Sequence, residues 1–344
     1  MRLKQLRLHQ FRSHDEAVFD FSGQLTAITG PNGSGKTTIL EAIYTLLNGR
    51  SYRDGDEDLI EYTHDWWRIE GDFDERTREL RYQPSNKGKQ LAIDGAIKGR
   101  FTYRHQLPVV LFEPDQLFLI QGSPSNRRKY LDTILLQLDP AYRDHLARYE
   151  RALSQRNNLL KRPPRNLDDA LFVWDVALSE HGAAISKARH ELIAELNENL
   201  SGQYSELAGS KQTLVVSYHT TLKHDQDTTS QLLAVLRRTH DQDVLRGFTS
   251  VGPHRDDISV SLNNKDAQTS ASRGEIRSII LSLKFAERQL LENHTSIPPI
   301  MLFDDVLSEL DAERRKFLAR AHKDSQLIYT TTEKTPHIKN VIKL

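Results

Sequence analysis

Hydrophobic and polar residues alternate from the start of the chain. Leu6 and Leu8 stand among polar neighbours, and so do Phe19 and Phe21. A period of two puts successive side chains on opposite faces, so each stretch predicts a half-buried strand. Leu25–Thr29 is a short apolar run ending at a glycine and predicts a third strand. Ile39, Leu40, Ile43, Leu46 and Leu47 then share one face of a helix. From Trp66 to Ile97, short strand-like stretches are broken by turn residues at Asn86-Lys87-Gly88 and Asp94-Gly95, the pattern of a meander.

The period lengthens in the middle. Between about Arg127 and Leu200, Tyr142, Leu146, Tyr149, Leu153 and Leu160 recur at helical spacing. Pro163-Pro164 interrupts them, and Trp174, Leu178, Ile185, Leu192 and Leu196 resume the pattern. Two such helices around a proline turn predict either an antiparallel helical hairpin or a plain helical subdomain. Beyond Gly252, Ile258, Val260 and Leu262 alternate as a strand, and Ile276, Ile279, Ile280, Leu283, Ala286 and Leu290 line one side of a long helix. Ile300–Phe303 and Leu327–Tyr329 are continuous apolar runs, as expected of strands covered on both faces. The fold class expected is α/β, with the body split around a helical insertion: residues 1–120 and 245–344 form the body, and 121–244 the insertion.

Composition narrows the chemistry. The 344 residues are 38% hydrophobic and 27% charged, ordinary for a globular protein with a real core. No cysteine is present, which excludes disulfides, thiolate zinc sites and cysteine nucleophiles. The 14 histidines show no metal-ligand spacing. Neither a signal-like N-terminus nor a membrane-length apolar run occurs, so a cytoplasmic protein with no membrane partner is expected. Forty-seven basic residues balance 47 acidic ones. The bulk charge therefore carries no attraction for nucleic acid, and any such surface must be local or created by assembly.

The strand Leu25–Thr29 leads into Gly30-Pro31-Asn32-Gly33-Ser34-Gly35-Lys36-Thr37, a GxxxxGK[ST] loop set between strand and helix. Its glycines let backbone N–H groups turn inward around phosphate at a helix N-terminus. Lys36 is expected to reach the β- and γ-phosphates of ATP, and the Thr37 hydroxyl to bind Mg²⁺. Ile300–Phe303 ends in Asp304-Asp305, four apolar residues followed by two acids. Asp304 is the candidate to hold Mg²⁺, and Asp305 to orient or deprotonate the attacking water.

About 270 residues separate the two halves of this site, as an insertion requires. Ser270-Ala271-Ser272-Arg273-Gly274-Glu275, at the start of the long helix, resembles the ABC signature, with Ser272 and Gly274 in register and Glu275 in place of the usual glutamine. Ser308-Glu309-Leu310-Asp311 resembles the ABC D-loop. In that superfamily the signature of one subunit closes on the γ-phosphate held by its partner.

Further segments resemble the RecF family of SMC-related ABC-type ATPases over nearly the whole chain. They are Leu8-His9-Gln10-Phe11-Arg12-Ser13, Leu40-Glu41-Ala42-Ile43-Tyr44, Gly49-Arg50-Ser51-Tyr52-Arg53, Phe112-Glu113-Pro114-Asp115-Gln116-Leu117, Gly122-Ser123-Pro124, Arg127–Asp132 and Gly252-Pro253-His254-Arg255-Asp256-Asp257. The resemblance implies an ATP-dependent homodimer on duplex DNA beside single-stranded gaps. It implies RecR and RecO as partners, help in loading RecA, and a part in replication-fork repair and the SOS response. It also adds Arg12 to the nucleotide contacts. Thr330-Thr331-Thr332 stands where many ABC ATPases carry a switch histidine, and Gln116 is the nearest candidate for a Q-loop glutamine.

Other residues keep two readings. His254 could contact DNA or nucleotide, or serve as a structural hydrogen-bonding group. Arg127-Arg128-Lys129 could meet phosphate or form a solvated face, and Lys87 and Lys89 could touch DNA at a hairpin tip or only aid solubility. Two other functions fit a P-loop ATPase: the nucleotide-binding subunit of an ABC transporter, and an SMC-like clamp whose ATP serves assembly.

Overall fold

The computed structural model describes residues 1–86, 88–223, 227–305, 325–333 and 338–344. Lys87 and the D-loop-like Ser308–Asp311 lie outside them. The chain forms two compact units, one of residues 1–117 with 280–344, the other of residues 118–279. Residues 245–279, expected with the ATPase body, pack in the second unit. The reason is strand pairing: Asp257–Leu262 is hydrogen-bonded along its length to Leu214–His219, a partner that periodicity cannot name.

The first unit holds two sheets. One is parallel, in the order Asn340–Lys343, Leu25–Thr29, Leu327–Thr331, Ile300–Phe303, Val109–Phe112. Its central strands are buried at every residue, as the apolar runs predicted. The other is antiparallel: His14–Asp20, Leu3–Phe11, Trp67–Phe73, Thr77–Gln83, Gly88–Ile93, Ala96–Arg100. Its last hairpin turns at Asp94 and Gly95, both with positive φ, the turn expected from that dipeptide.

The helix Lys36–Asn48 packs against strands of both sheets. That explains why eleven of its residues are buried, where the sequence pattern predicted one apolar face. Gln326 ties the layers together. Its side-chain oxygen accepts from Leu3 N at 2.8 Å, and its amide donates to the carbonyls of Leu3 at 2.8 Å and Gly23 at 3.2 Å.

In the second unit, Pro140–Lys161 and Leu167–Ala208 form an antiparallel pair. Arg156 meets Asp175, Tyr149 faces Gly182, and Tyr142 meets Arg189, so one index falls as the other rises. Of the two sequence readings, the hairpin is present, though not as a bare arm. The longer helix continues over the sheet formed by Leu214–His219, Asp257–Leu262 and Lys265–Asp266, where Asn197 closes on both backbone groups of Val216. A Cβ at Gly182 would come within 2.7 Å of Leu232 and 3.0 Å of Tyr149, so this close approach needs glycine.

Within the apolar stripe of Pro140–Lys161, sequence periodicity missed Arg156. Its side chain is fully buried and donates to Asp175 at 2.6 Å, Asp243 at 2.7 Å and the Thr249 hydroxyl at 3.0 Å. Arg156→Met keeps the volume and strands two buried carboxylates. It is expected to destabilise the protein by about 3–5 kcal/mol, read as a lowered urea midpoint. An unchanged midpoint would contradict the assignment.

Candidate functional site

The phosphate-binding loop leaves the carboxyl end of Leu25–Thr29, between two parallel neighbours, and enters the helix at Lys36. Gly33 and Gly35 hold φ of 80° and 91°, left-handed values that side chains disfavour, so the loop can curl back on itself. No side chain caps the helix, which leaves its first N–H groups free to collect an anion. The Lys36 ammonium is nearly buried and donates to the carbonyls of Gly30 at 2.9 Å and Pro31 at 2.7 Å. Ser34 Oγ is buried and has no hydrogen-bond partner among the described residues. An inward lysine, free amides and an orphan hydroxyl fit a bound triphosphate. When bound, such a group would supply the phosphoanhydride that is cleaved; the loop would hold it and offset its charge.

The acidic strand stands two places away in the same sheet, and its end meets the loop. Thr37 Oγ1 donates to Asp304 Oδ1 at 3.0 Å. Thr330 Oγ1 donates to the same oxygen at 2.7 Å and accepts from the Asp305 backbone N–H at 2.7 Å. Thr37, Asp304 and Thr330 thus form one hydrogen-bonded chain drawn from three elements. The neighbouring residue, Asp305, has φ 46°, a left-handed conformation costly for a side-chain-bearing residue. The Thr330 hydroxyl holds that backbone in place. Sequence reasoning read Thr330 only as a departure from a switch histidine; the geometry makes it the brace of both acids. Its signal was present, a hydroxyl inside a buried apolar strand, but the partner was not visible. Thr37 and Asp304 together offer a hydroxyl and a carboxylate, hard oxygen donors suited to Mg²⁺.

Arg12 is placed beside the loop's helix and is fully engaged. It grips Glu41 through Nε at 3.0 Å and Nη2 at 2.8 Å, pairs with Asp54, and donates to the Asp58 carbonyl at 2.9 Å. Burial lowers its pKa, yet the hydrogen bonds and charges of Glu41 and Asp54 outweigh that and hold it above the usual arginine value. Glu41 is fully buried and also accepts from Ser51 Oγ at 2.6 Å. Next to it, burial and the charges of Asp304, Glu113 and Glu41 raise the Tyr52 phenol, so it remains a neutral O–H. Gln116 lies in the single helical turn Pro114–Leu117, with a buried side-chain oxygen lacking a partner among the described residues.

Ser272 opens the helix Arg273–Thr295 in a reciprocal cap. Its N–H and Oγ donate to Glu275 Oε2 at 2.8 and 2.7 Å, and Glu275 N–H returns to Oγ at 3.3 Å. The Glu275 pKa is lowered, first by the Ser272 backbone bond and then by its hydroxyl. Glu275 therefore has a definite role, as the far half of a capping box. Gly274 follows Ser272 in the first turn.

In the Gly252–Asp257 segment of the second unit, Gly252, Pro253 and Asp256 are buried, while Arg255 is exposed. Thr249 carbonyl can only accept, so His254 Nε2 donates to it at 3.1 Å and Nδ1 accepts from the Tyr149 hydroxyl at 2.6 Å. Burial lowers the His254 pKa to about 4, so the ring is neutral at pH 7. Of its two sequence readings, the described contacts are structural. Arg127 grips Asp257 through two bonds of 2.6 and 2.8 Å, and Arg128 donates to the Asp256 carbonyl at 2.9 Å. Arg127 is thereby buried in an ion pair, and Arg128, partly exposed, is tied to the same segment. Lys89 pairs with Asp56.

A family model described as an AAA domain matches residues 5–266. The DNA replication and repair protein RecF of Streptococcus thermophilus is 35% identical over 347 residues, covering 99% of this chain and 94% of that one. RecF of Ruminiclostridium cellulolyticum is 36% identical, covering 99% and 95%. The chain belongs to the RecF family. The solved structures of the recombination mediator RecF with ATPrS and with ATP superpose with TM-scores of 0.89 and 0.84, each 30% identical. They cover 100% and 98% of this chain, and 96% and 93% of their own. An Smc head domain from Pyrococcus furiosus, 19% identical with a TM-score of 0.51, shares the fold. The RecF-family chain is thus an ABC-type ATPase of DNA replication and repair, and the transporter-subunit reading is set aside. No described helix is long and apolar enough to cross a membrane.

Thr330→Val keeps the shape of the side chain and removes the hydroxyl that braces Asp304 and Asp305. ATP turnover is expected to fall about tenfold or more while ATP affinity changes little, because the loop itself is untouched. Equilibrium nucleotide titration beside steady-state hydrolysis separates the two; equal losses in both would contradict this role.

Proposed function

We propose that this RecF-family ATPase works as an ATP-closed dimer on duplex DNA beside single-stranded gaps in the cytoplasm. RecR and RecO are its partners there, and its effect is to help load RecA in fork repair and the SOS response. The observation that carries the nucleotide part is the Thr37–Asp304–Thr330 chain beside the inward lysine. In this reading residues 30–37 hold ATP, Thr37 and Asp304 hold Mg²⁺, and Asp305 positions the attacking water. Arg12 supports the nucleotide side by fixing Glu41 and Asp54. Ser272 and Gly274 meet the γ-phosphate bound by the partner, which requires the Ser272 hydroxyl to turn from Glu275. The pathway follows the solved relative, described as a recombination mediator in the RecFOR pathway.

Dependence on assembly has an electrostatic basis. On the antiparallel sheet, Arg7 meets Asp72 at 2.9 Å and Glu70 at 3.7 Å, and Arg68 meets Glu70 at 3.0 Å. Cations already paired with carboxylates across or along strands, in a chain of zero net charge, give a single head little field for DNA. Phosphate contacts then come from a groove that the dimer completes. DNA retention is expected only with ATP, and to fall steeply as salt rises from 50 to 200 mM. Tight, salt-insensitive binding by the nucleotide-free protein would contradict this.

Action across an interface has a direct test. Ser272→Arg is expected to keep ATP affinity near normal but to lose dimerisation, hydrolysis and DNA retention together, since an added bulk in a closed interface costs about 1–3 kcal/mol. Mixed with Lys36→Ala protein, it gives dimers in which one composite site carries both lesions and the other neither. Hydrolysis regained in that mixture supports the shared site; loss of ATP binding by Ser272→Arg alone refutes it.

A further inference from the structure

The strand His14–Asp20 brings one side chain against the phosphate-binding loop that the nucleotide reading leaves unused. His14 starts this strand at the edge of the antiparallel sheet, paired with Phe11 across the turn. Its ring lies edge-on to Phe19, with centroids 5.7 Å apart and planes at 79°. The imidazole also presses on the loop: a Cβ built on Gly35 would lie 3.1 Å from His14 Nε2 and 3.5 Å from its Cε1. Gly35 is therefore required twice, by its left-handed backbone and by this ring.

His14 Nε2 is buried and has no hydrogen-bond partner among the described residues. A buried polar atom without a partner is destabilising, by about 1–3 kcal/mol. Packing on Phe19 needs only a ring, so it does not account for a nitrogen there. The second orphan in the loop, Ser34 Oγ, is one residue from the glycine that His14 touches. Burial also lowers the His14 pKa, so the ring is neutral and can carry one N–H. Gly35 is the last loop residue before the helix, where backbone N–H groups collect the α- and β-phosphates while the lysine reaches on to the γ-phosphate.

The geometry points to His14 as a nucleotide-binding residue whose Nε2–H donates to the α- or β-phosphate of a nucleoside di- or triphosphate. The contact rests on the reading of residues 30–37 as the phosphate-binding loop. It adds a side-chain donor from the neighbouring sheet to a cradle otherwise made of the loop's own backbone and side chains. Both ATP and ADP carry these phosphates, so both gain from it equally.

Three substitutions test this in the full chain by equilibrium titration of ATP and of ADP. His14→Phe retains a ring against Phe19 and removes the nitrogen; it is expected to weaken both nucleotides about tenfold, while the melting temperature of the nucleotide-free protein does not fall and rises by as much as the lost orphan nitrogen had cost. His14→Gln restores a donor at similar reach and is expected to recover most of the affinity. Lys36→Ala is the reference for the loop itself and is expected to abolish binding. Normal affinity in His14→Phe, with binding lost in Lys36→Ala, overturns the His14 contact and leaves the loop assignment standing. Normal affinity in Lys36→Ala overturns the loop assignment. Weakening of ATP alone would move the contact to the γ-phosphate and overturn the atoms assigned here.

Discussion

Everything at the site depends on one helix buried on all sides. Lys36–Asn48 packs against the parallel sheet and the antiparallel sheet together, so its first turn cannot shift without disturbing both. The close packing of such a core makes the position of Lys36 and Thr37 a property of the whole first unit. Gln326 reinforces this by closing two bonds on the backbone of Leu3, at the strand that begins the second layer. From the fixed helix, Thr37 reaches Asp304, and Glu41, one turn on, gathers Arg12 and Ser51.

Hydroxyl groups join parts of the site beside the charged ones. Thr37, Thr330 and Ser51 each link a carboxylate to a neighbouring element. A hydroxyl can donate to an acid and accept from a backbone N–H at once, as Thr330 does between Asp304 and Asp305.

The second unit is organised by buried arginines. Arg156 joins Asp175 to Asp243, and Arg189 joins Asp132 to the Pro253 carbonyl, so helices distant in sequence are held to the Gly252–Asp257 segment. Burial raises the pKa of Asp175 and of Asp256, and hydrogen bonds from Arg156 and from Tyr218 oppose that rise. Polar groups of this kind contribute specificity of register along the helical pair, since a shift by one turn would strand each charge.

Local chemistry was legible along the chain because it is written in neighbouring residues. The glycine-rich loop between strand and helix, the apolar strand ending in two acids, the buried parallel strands and the proline-broken helices all depend on spacing within a few positions, and they stand where the sequence put them. The strands Leu214–His219 and Asn340–Lys343 are short and were placed by their pairing, whereas Val109–Phe112 is a continuous apolar run of the same kind as Ile300–Phe303. Partners were likewise beyond the sequence: Thr330 with Asp304, Arg127 with Asp257 and His14 with Gly35 are 26, 130 and 21 positions apart. Charge and polarity describe what a side chain can do, but which atom it meets is settled by how sheets and helices pack. For that reason Arg127, Arg128 and His254, open to two readings in sequence, became structural groups, and Thr330 became part of the site.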